Sequence, residues 1–240
     1  MNLVLDIGNN FFKVGIFENT KLIYLASGEN CDINNVIEPI LDLHENLIYV
    51  LISNVSDLDT TNLFKKSNLI VYELTPEFNL PFTIRYKTTE TLGKDRIALA
   101  AAASTKYPNS NTVIIDAGTC ITVDFLNDQN VFLGGAISPG IEMRYNSLSD
   151  YTANLPRLKK NNDVQFPGNS TNNSIHTGVI LGITHEITGF INQIKAEFDD
   201  VRIILTGGDA KFLSKTLKIT IFANQNFILE GLNSILNLNR

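Results

Sequence analysis

An internal repeat governs what this chain can become. Near the N-terminus stands LVLDIGNNFFKVGIFENTKLIYL, and TVIIDAGTCITVDFLNDQNVFL follows in the middle of the chain. Both copies run an apolar strand into Asp-x-Gly, continue through a polar residue into a second strand that ends in a polar turn, and then start a third strand. Asp6 and Asp116 mark the equivalent points, and 116 minus 6 gives an offset of 110 residues. A period this long predicts a duplicated domain, because a solenoid would show several shorter periods.

The 240 residues suffice for two such halves, each large enough to bury its own core. The expected boundary falls at the breaker Tyr107-Pro108-Asn109-Ser110-Asn111, giving domains 1–108 and 109–240. In the first half the three-strand opening leads to a helix near Asn34 to Leu43, a strand Leu47 to Ser53, a short helix near Leu58 to Lys66 and a strand Leu69 to Leu74. This alternation predicts βαβ units. Thr75 to Leu92, with Pro76 and Pro81, reads as loop, and Gly93 to Lys106, with the run Ala98 to Ala103, reads as helix. After its own three strands the second half shows a polar stretch from Asp150 to Ser170, a long helix near Thr171 to Phe198, the strand Val201 to Leu205 and a last helix over Asn226 to Leu238.

Several function classes are disfavoured. A net charge of −6 offers no general attraction to nucleic acid or to an anionic membrane, so a small-molecule partner is expected. Cys31 and Cys120 have no metal spacing, and His44, His176 and His185 stand far apart, which argues against zinc. No apolar run reaches about 18 residues, and Leu3 to Leu5 stops at Asp6, so neither a membrane span nor a signal sequence is expected and the protein reads as cytoplasmic.

Chemistry concentrates at the turns. In Asp6-Ile7-Gly8-Asn9-Asn10, Gly8 lets backbone approach a ligand while turn amides face an anion, and an aspartate beside phosphates most usefully holds their Mg²⁺. One such turn is also what any hairpin contains. The second copy, Asp116-Ala117-Gly118-Thr119, shifts the reading toward phosphate chemistry, with two carboxylates and two glycine turns presented to one triphosphate. Thr206-Gly207-Gly208-Asp209 reads equally as a nucleoside-binding loop or a plain strand-to-helix turn. Asp95, in Leu92-Gly93-Lys94-Asp95-Arg96, suits the positive end of a helix dipole, but Lys94 and Arg96 do not. An anionic ligand would explain both cations. Asp95 is then a candidate general base for a substrate hydroxyl, and Arg96 a fork for a carboxylate. Cys120 reads as a small buried residue rather than a nucleophile.

The chain closely resembles the type III pantothenate kinases of the acetate and sugar kinase, Hsp70 and actin superfamily. The resemblance spans essentially all 240 residues. It rests on LVLDIGNNFFK, Tyr86 followed by ETLGKDR, IIDAGTCITVD, GGAISPGI, STNNSIHTG and LTGGDA in that order. It implies an α/β fold of two duplicated ribonuclease H-like (actin-like ATPase) halves, each a mixed sheet flanked by helices. The implied activity is transfer of the ATP γ-phosphate to the terminal hydroxyl of pantothenate, the first step of coenzyme A synthesis, by a cytoplasmic homodimer needing Mg²⁺ and a monovalent cation, K⁺ or NH₄⁺.

Carried over by position, the resemblance makes Asp95 the proton acceptor and assigns ATP to Asp6, Ile7, Gly8, Asn9, Asn10, Phe11, Phe12 and Lys13, with Thr119 as a further ATP contact. It gives the pantothenate site to Tyr86, Gly93, Lys94, Asp95, Arg96 and Thr171, with Thr177 as the alternative to Thr171. Asp116 becomes the monovalent-cation ligand and Asp6 meets Mg²⁺ through ATP. Asn10 departs from the family's usual threonine or serine, which changes a side-chain contact to phosphate but not the turn amides. Two other readings remain open: a kinase of another small hydroxy acid or sugar, and a nucleotide-binding regulator of the same fold, which would have no need of the Gly93 to Arg96 acceptor segment.

Overall fold

The computed structural model describes residues 1–65, 67–75, 77–217 and 222–240. The chain opens with β1 (Asn2–Ile7), β2 (Phe11–Glu18) and β3 (Lys21–Glu29), followed by α1 (Ile33–Leu43), β4 (Tyr49–Asn54), β5 (Ile70–Glu73), the short β6 (Thr83–Ile84) and α2 (Lys94–Lys106). The pattern restarts with β7 (Thr112–Ala117), β8 (Cys120–Leu126) and β9 (Val131–Pro139). It continues through α3 (Ile141–Asp150), α4 (Thr171–Glu197), β10 (Arg202–Thr206), α5 (Ala210–Leu213), β11 (Phe222–Ala223) and α6 (Phe227–Asn239).

The duplication extends to sheet topology. One sheet has the order β3-β2-β1-β4-β5, and the other carries β9-β8-β7-β10-β11 in the same sequence of neighbours. β1 is antiparallel to β2 and parallel to β4, as β7 is to β8 and β10. Burial repeats as well: β1 and β7 each have four buried residues, a half-buried aspartate and one more buried residue. Such near-continuous burial marks strands covered on both faces. The short β6 pairs in parallel with Val131 and Phe132.

Two compact units emerge from the chain's contacts. The first comprises Met1–Asn109, Asn130–Phe132 and Asn226–Arg240; the second comprises Ser110–Gln129 and Leu133–Gln225. In the first, Leu3, Leu5, Ile7, Phe12 and Val14 pack against Ile33, Ile37 and Ile40 of α1. In the second, Val113, Ile115, Ile121 and Val123 share a core with Ile180, Ile183 and Ile187 of α4.

α6 therefore groups with the first unit although it follows the second in sequence. Its partner is α2, whose residues from Arg96 to Ser104 are all buried. The helices approach so closely that a Cβ on Gly231 would lie 1.8 Å from the Ala98 carbonyl oxygen. The alanines of α2 are thus a packing surface as well as good helix formers.

Within the short helix expected over Leu58 to Lys66, the described residues 58–65 are not helical. They form successive turns, with Leu63 N–H donating to Thr60 O and Lys65 N–H to Asn62 O. Asp59 accepts from the N–H and the hydroxyl of Thr61, a local side-chain alternative to the helix ladder. Lys66 and Pro76 lie outside the described residues. α3 is an additional helix in a segment whose composition is mainly polar.

Candidate functional site

In the first unit β1 delivers Asp6 to the edge of a glycine turn. Across the sheet Asp6 stands in register with Lys13 on one side and Ser53 on the other. The Ser53 hydroxyl donates to Asp6 Oδ1 at 3.1 Å, holding the half-buried carboxylate in one orientation. Gly8 N–H donates to Phe11 O at 2.9 Å and closes the turn. Asn9 and Asn10 are exposed. Phe11 is also exposed, whereas the side chains of Ile7 and Phe12 belong to the core, so those two can offer a ligand only backbone.

The second unit builds the same turn more tightly. Gly118 N–H donates to Cys120 O at 3.0 Å, and Asp116 is half-buried like Asp6. Thr119 is exposed at the tip and Cys120 only partly so. The loop after β10 closes over this turn: Asp209 N–H donates to Ala117 O at 2.9 Å. Gly207 has φ +94°, and a Cβ there would lie 2.4 Å from both Ala117 O and Asp116 Oδ1. Only glycine meets both demands. The Thr206 to Asp209 loop is thus part of the second turn's wall, more than a plain strand-to-helix connection.

Asp95 occupies the first turn of α2, following the extended N-cap Gly93. Its Oδ1 accepts from Arg96 N–H at 2.8 Å, which satisfies one of the amide donors at the helix start. A Cβ on Gly93 would lie 2.4 Å from that same oxygen. Arg96 is 5% exposed, with its guanidinium carbon 5.7 Å from the ring centroids of both Tyr86 and Phe132. The two rings, themselves 6.3 Å apart, give the cation an aromatic flank. Lys94 Nζ pairs with Glu73 Oε1 at 2.8 Å. That partner corrects the expectation that an anionic ligand is needed to explain both cations at this helix end.

Thr171 is the exposed first residue of α4, next to Ser170, whose hydroxyl accepts from Asn173 N–H at 3.2 Å. It lines a hollow of about 700 Å³ with Arg144, Ser147, Leu148, Leu155 and Ile175. Thr177 is buried and donates its hydroxyl to Gln165 O at 2.8 Å, so between the two candidate threonines it is Thr171 that faces open space. Arg144 is held by Glu186 at 2.8 Å and by Pro139 O. Nearby, Tyr145 Oη and His176 Nδ1 share a hydrogen bond of 2.8 Å, and burial pushes the Tyr145 hydroxyl up to about 12.

The predicted residues fall into separate local groups: Asp6 through Lys13 on one turn, Tyr86 with Gly93 through Arg96 at the start of α2, Asp116 with Thr119 on the second turn, and Thr171 apart from these at the start of α4. Sequence reasoning missed Ser53, Glu73 and Phe132. Ser53 acts across the β1–β4 pair and Glu73 reaches from β5 to the start of α2, contacts that no local motif reveals. Phe132 stands just ahead of the GGAISPGI segment, where its aromatic character was the available signal.

No group of three or more metal-ligating side chains occurs among the described residues. None of the described helices is long and apolar enough to cross a membrane.

A family model of the type III pantothenate kinases matches residues 2–193. A type III pantothenate kinase of Christiangramia forsetii is 45% identical over a 244-residue alignment covering 100% of this chain and 99% of that protein. One from Flavobacterium johnsoniae is 42% identical over 234 residues, 97% of this chain and 96% of its own length. Among solved structures, the activator of 2-hydroxyisocaproyl-CoA dehydratase from Clostridium difficile, with bound ADPNP, superposes with a TM-score of 0.58 at 12% identity. That match covers 99% of this chain and 93% of the other, and the likeness is one of fold. With duplicated halves, both glycine turns, the Gly93 to Arg96 segment and full-length relatives in agreement, this chain belongs to the type III pantothenate kinase family.

Proposed function

We propose that this protein transfers the γ-phosphoryl group of ATP to the terminal hydroxyl of pantothenate, giving 4′-phosphopantothenate in the first step of coenzyme A synthesis. The observation that carries this reading is the start of α2. There a carboxylate, Asp95, is steered by Arg96 N–H and by the absence of a side chain at Gly93, with the Arg96 cation lying against the Tyr86 and Phe132 ring pair. Asp95 accepts the hydroxyl proton as the new O–P bond forms, the bond between the γ-phosphorus and the bridging oxygen breaks, and ADP leaves. Arg96 and Tyr86 orient the pantothenate carboxylate end, and Thr171 supplies a further hydroxyl contact.

ATP phosphates are assigned to the turn amides of Gly8 to Lys13 and to Thr119. Phosphoryl transfer requires mainly positioning and neutralisation of charge. Mg²⁺ bound by phosphates typically needs only one or two protein carboxylates. Asp6, a single half-buried carboxylate on a phosphate turn, fits that demand. Asp116, whose Oδ1 faces the Gly207 backbone, is the oxygen ligand assigned to K⁺ or NH₄⁺. When bound, these ions would neutralise phosphate charge, while the chain's own groups orient the reactants and take the proton. The protein is assigned to the cytoplasm as a homodimer.

The test is ADP release measured in a coupled assay with Mg²⁺ and K⁺ or NH₄⁺. Saturable dependence on pantothenate is expected. ATP consumption indifferent to pantothenate would remove the acceptor assignment.

A further inference from the structure

The two glycine turns are not equal, and the difference identifies a residue outside every motif considered above. β1 and β2 are joined by three residues, Gly8, Asn9 and Asn10, while β7 and β8 are joined by two, Gly118 and Thr119. Each third strand then returns to its turn. The residue after β3 is Asn30 and the residue after β9 is Gly140, again 110 positions apart (140 minus 30). Both donate their backbone N–H to the last carbonyl of the turn: Asn30 to Asn10 O at 2.9 Å, and Gly140 to Thr119 O at 3.0 Å.

The side chains differ for a steric reason. A Cβ on Gly140 would lie 2.4 Å from Gly118 O and from Thr119 O, so the short turn admits no side chain. The extra residue of the first turn opens that space, and Asn30 fills it. Its Nδ2 donates to Gly8 O at 2.8 Å and to Asn9 O at 3.2 Å. One residue thus engages all three carbonyls of the longer turn. Its Oδ1 is left buried without a hydrogen-bond partner among the described residues, an arrangement that folding alone does not favour.

We propose that Asn30 is a positioning residue for nucleotide binding, fixing the first turn with its carbonyls engaged so that its amides are presented to phosphate oxygens. The proposal rests on the reading that Gly8 to Asn10 receives ATP. Among the described residues the N–H groups of Asn9 and Asn10 have no backbone acceptor, which is the arrangement an anion-binding turn requires. A carbonyl that rotated toward the ligand would instead repel it.

Two variants test this: Asn30→Ala removes the side-chain donors and Asn30→Leu removes them while keeping nearly the same volume. Three measurements apply to each: amide hydrogen exchange over residues 8–11, the dissociation constant of a non-hydrolysable ATP analogue, and the KM values for ATP and pantothenate. We expect exchange at the turn to quicken and analogue affinity to fall about tenfold, the scale of two neutral hydrogen bonds. KM for ATP should rise in parallel while KM for pantothenate stays near its wild-type value, and the melting temperature should fall by only a few degrees. Unchanged analogue affinity in both variants overturns the proposal, as does an equal rise in both KM values, which would indicate general loosening. Analogue binding by the wild-type chain without pantothenate turnover would count against the acceptor reading alone, and Asn30 would still be judged by the affinities.

Discussion

Replacing Gly93 by alanine should disable the enzyme while barely disturbing the fold. The backbone at Gly93, φ −55° and ψ 133°, is open to any residue, so alanine introduces no backbone strain. The added Cβ would instead lie 2.4 Å from Asp95 Oδ1, with the Asp95 carboxyl carbon at 3.6 Å and Arg96 Cδ at 3.7 Å. The carboxylate is the movable partner, and it must retreat by about 1 Å to reach ordinary contact distance. Doing so breaks or lengthens its 2.8 Å bond from Arg96 N–H and turns the oxygens away from the acceptor hydroxyl. Losing one such bond at a partly exposed helix start costs about 1–2 kcal/mol of stability, or a few degrees in melting temperature. Misplacing a reacting group by about 1 Å can cost roughly 100-fold in rate. The assay is kcat from coupled ADP release beside the thermal midpoint. A kcat within about threefold of wild type, with Asp95 as the base, would refute the reasoning, since the displaced carboxylate would then have had no positional role.

Further outcomes follow from other contacts. Asp95→Asn should lower kcat by about 100-fold or more with an unchanged melting temperature, because the isosteric amide cannot take the proton; near-normal turnover removes Asp95 from that role. Gly231→Ala should destabilise by about 3 kcal/mol, because its Cβ would meet Ala98 O at 1.8 Å and force α6 off α2; denaturant unfolding reads this directly. Gly207→Ala combines a left-handed backbone with collisions at Ala117 and Asp116, and should weaken binding of an ATP analogue at least about tenfold by calorimetry. Tyr145 keeps its proton in the fold to about pH 12, whereas an unfolded tyrosine loses it near pH 10. Its contribution is therefore complete below about pH 10 and is lost as pH rises toward 12; Tyr145→Phe should flatten the stability profile over that interval.

Much of this was legible in the sequence for definite reasons. The repeated Asp-x-Gly turns are local, so strand periodicity and glycine placement sufficed to locate Asp6, Asp116 and both meanders. The Gly93 to Arg96 segment was likewise visible as charge at the start of an alanine-rich helix. What escaped was long-range. The partner of Lys94, Glu73, lies 21 residues away on a strand edge, where no local charge pattern reveals it. The grouping of α6 with the first unit depends on Gly231 meeting Ala98, a contact no composition announces. α3 was overlooked because Glu142, Arg144, Asn146 and Ser147 blur its apolar face. Asn30 belongs to no motif, and its meaning emerges only when its hydrogen bonds are laid beside those of Gly140.

The most direct measurement is phosphorus NMR of a reaction containing the protein, ATP, Mg²⁺, K⁺ and pantothenate. The account predicts one new phosphomonoester resonance growing in step with ADP, absent without pantothenate and growing at least about 100-fold more slowly with the Asp95→Asn variant. Inorganic phosphate appearing in its place, or an equal rate of ester formation by that variant, would contradict it.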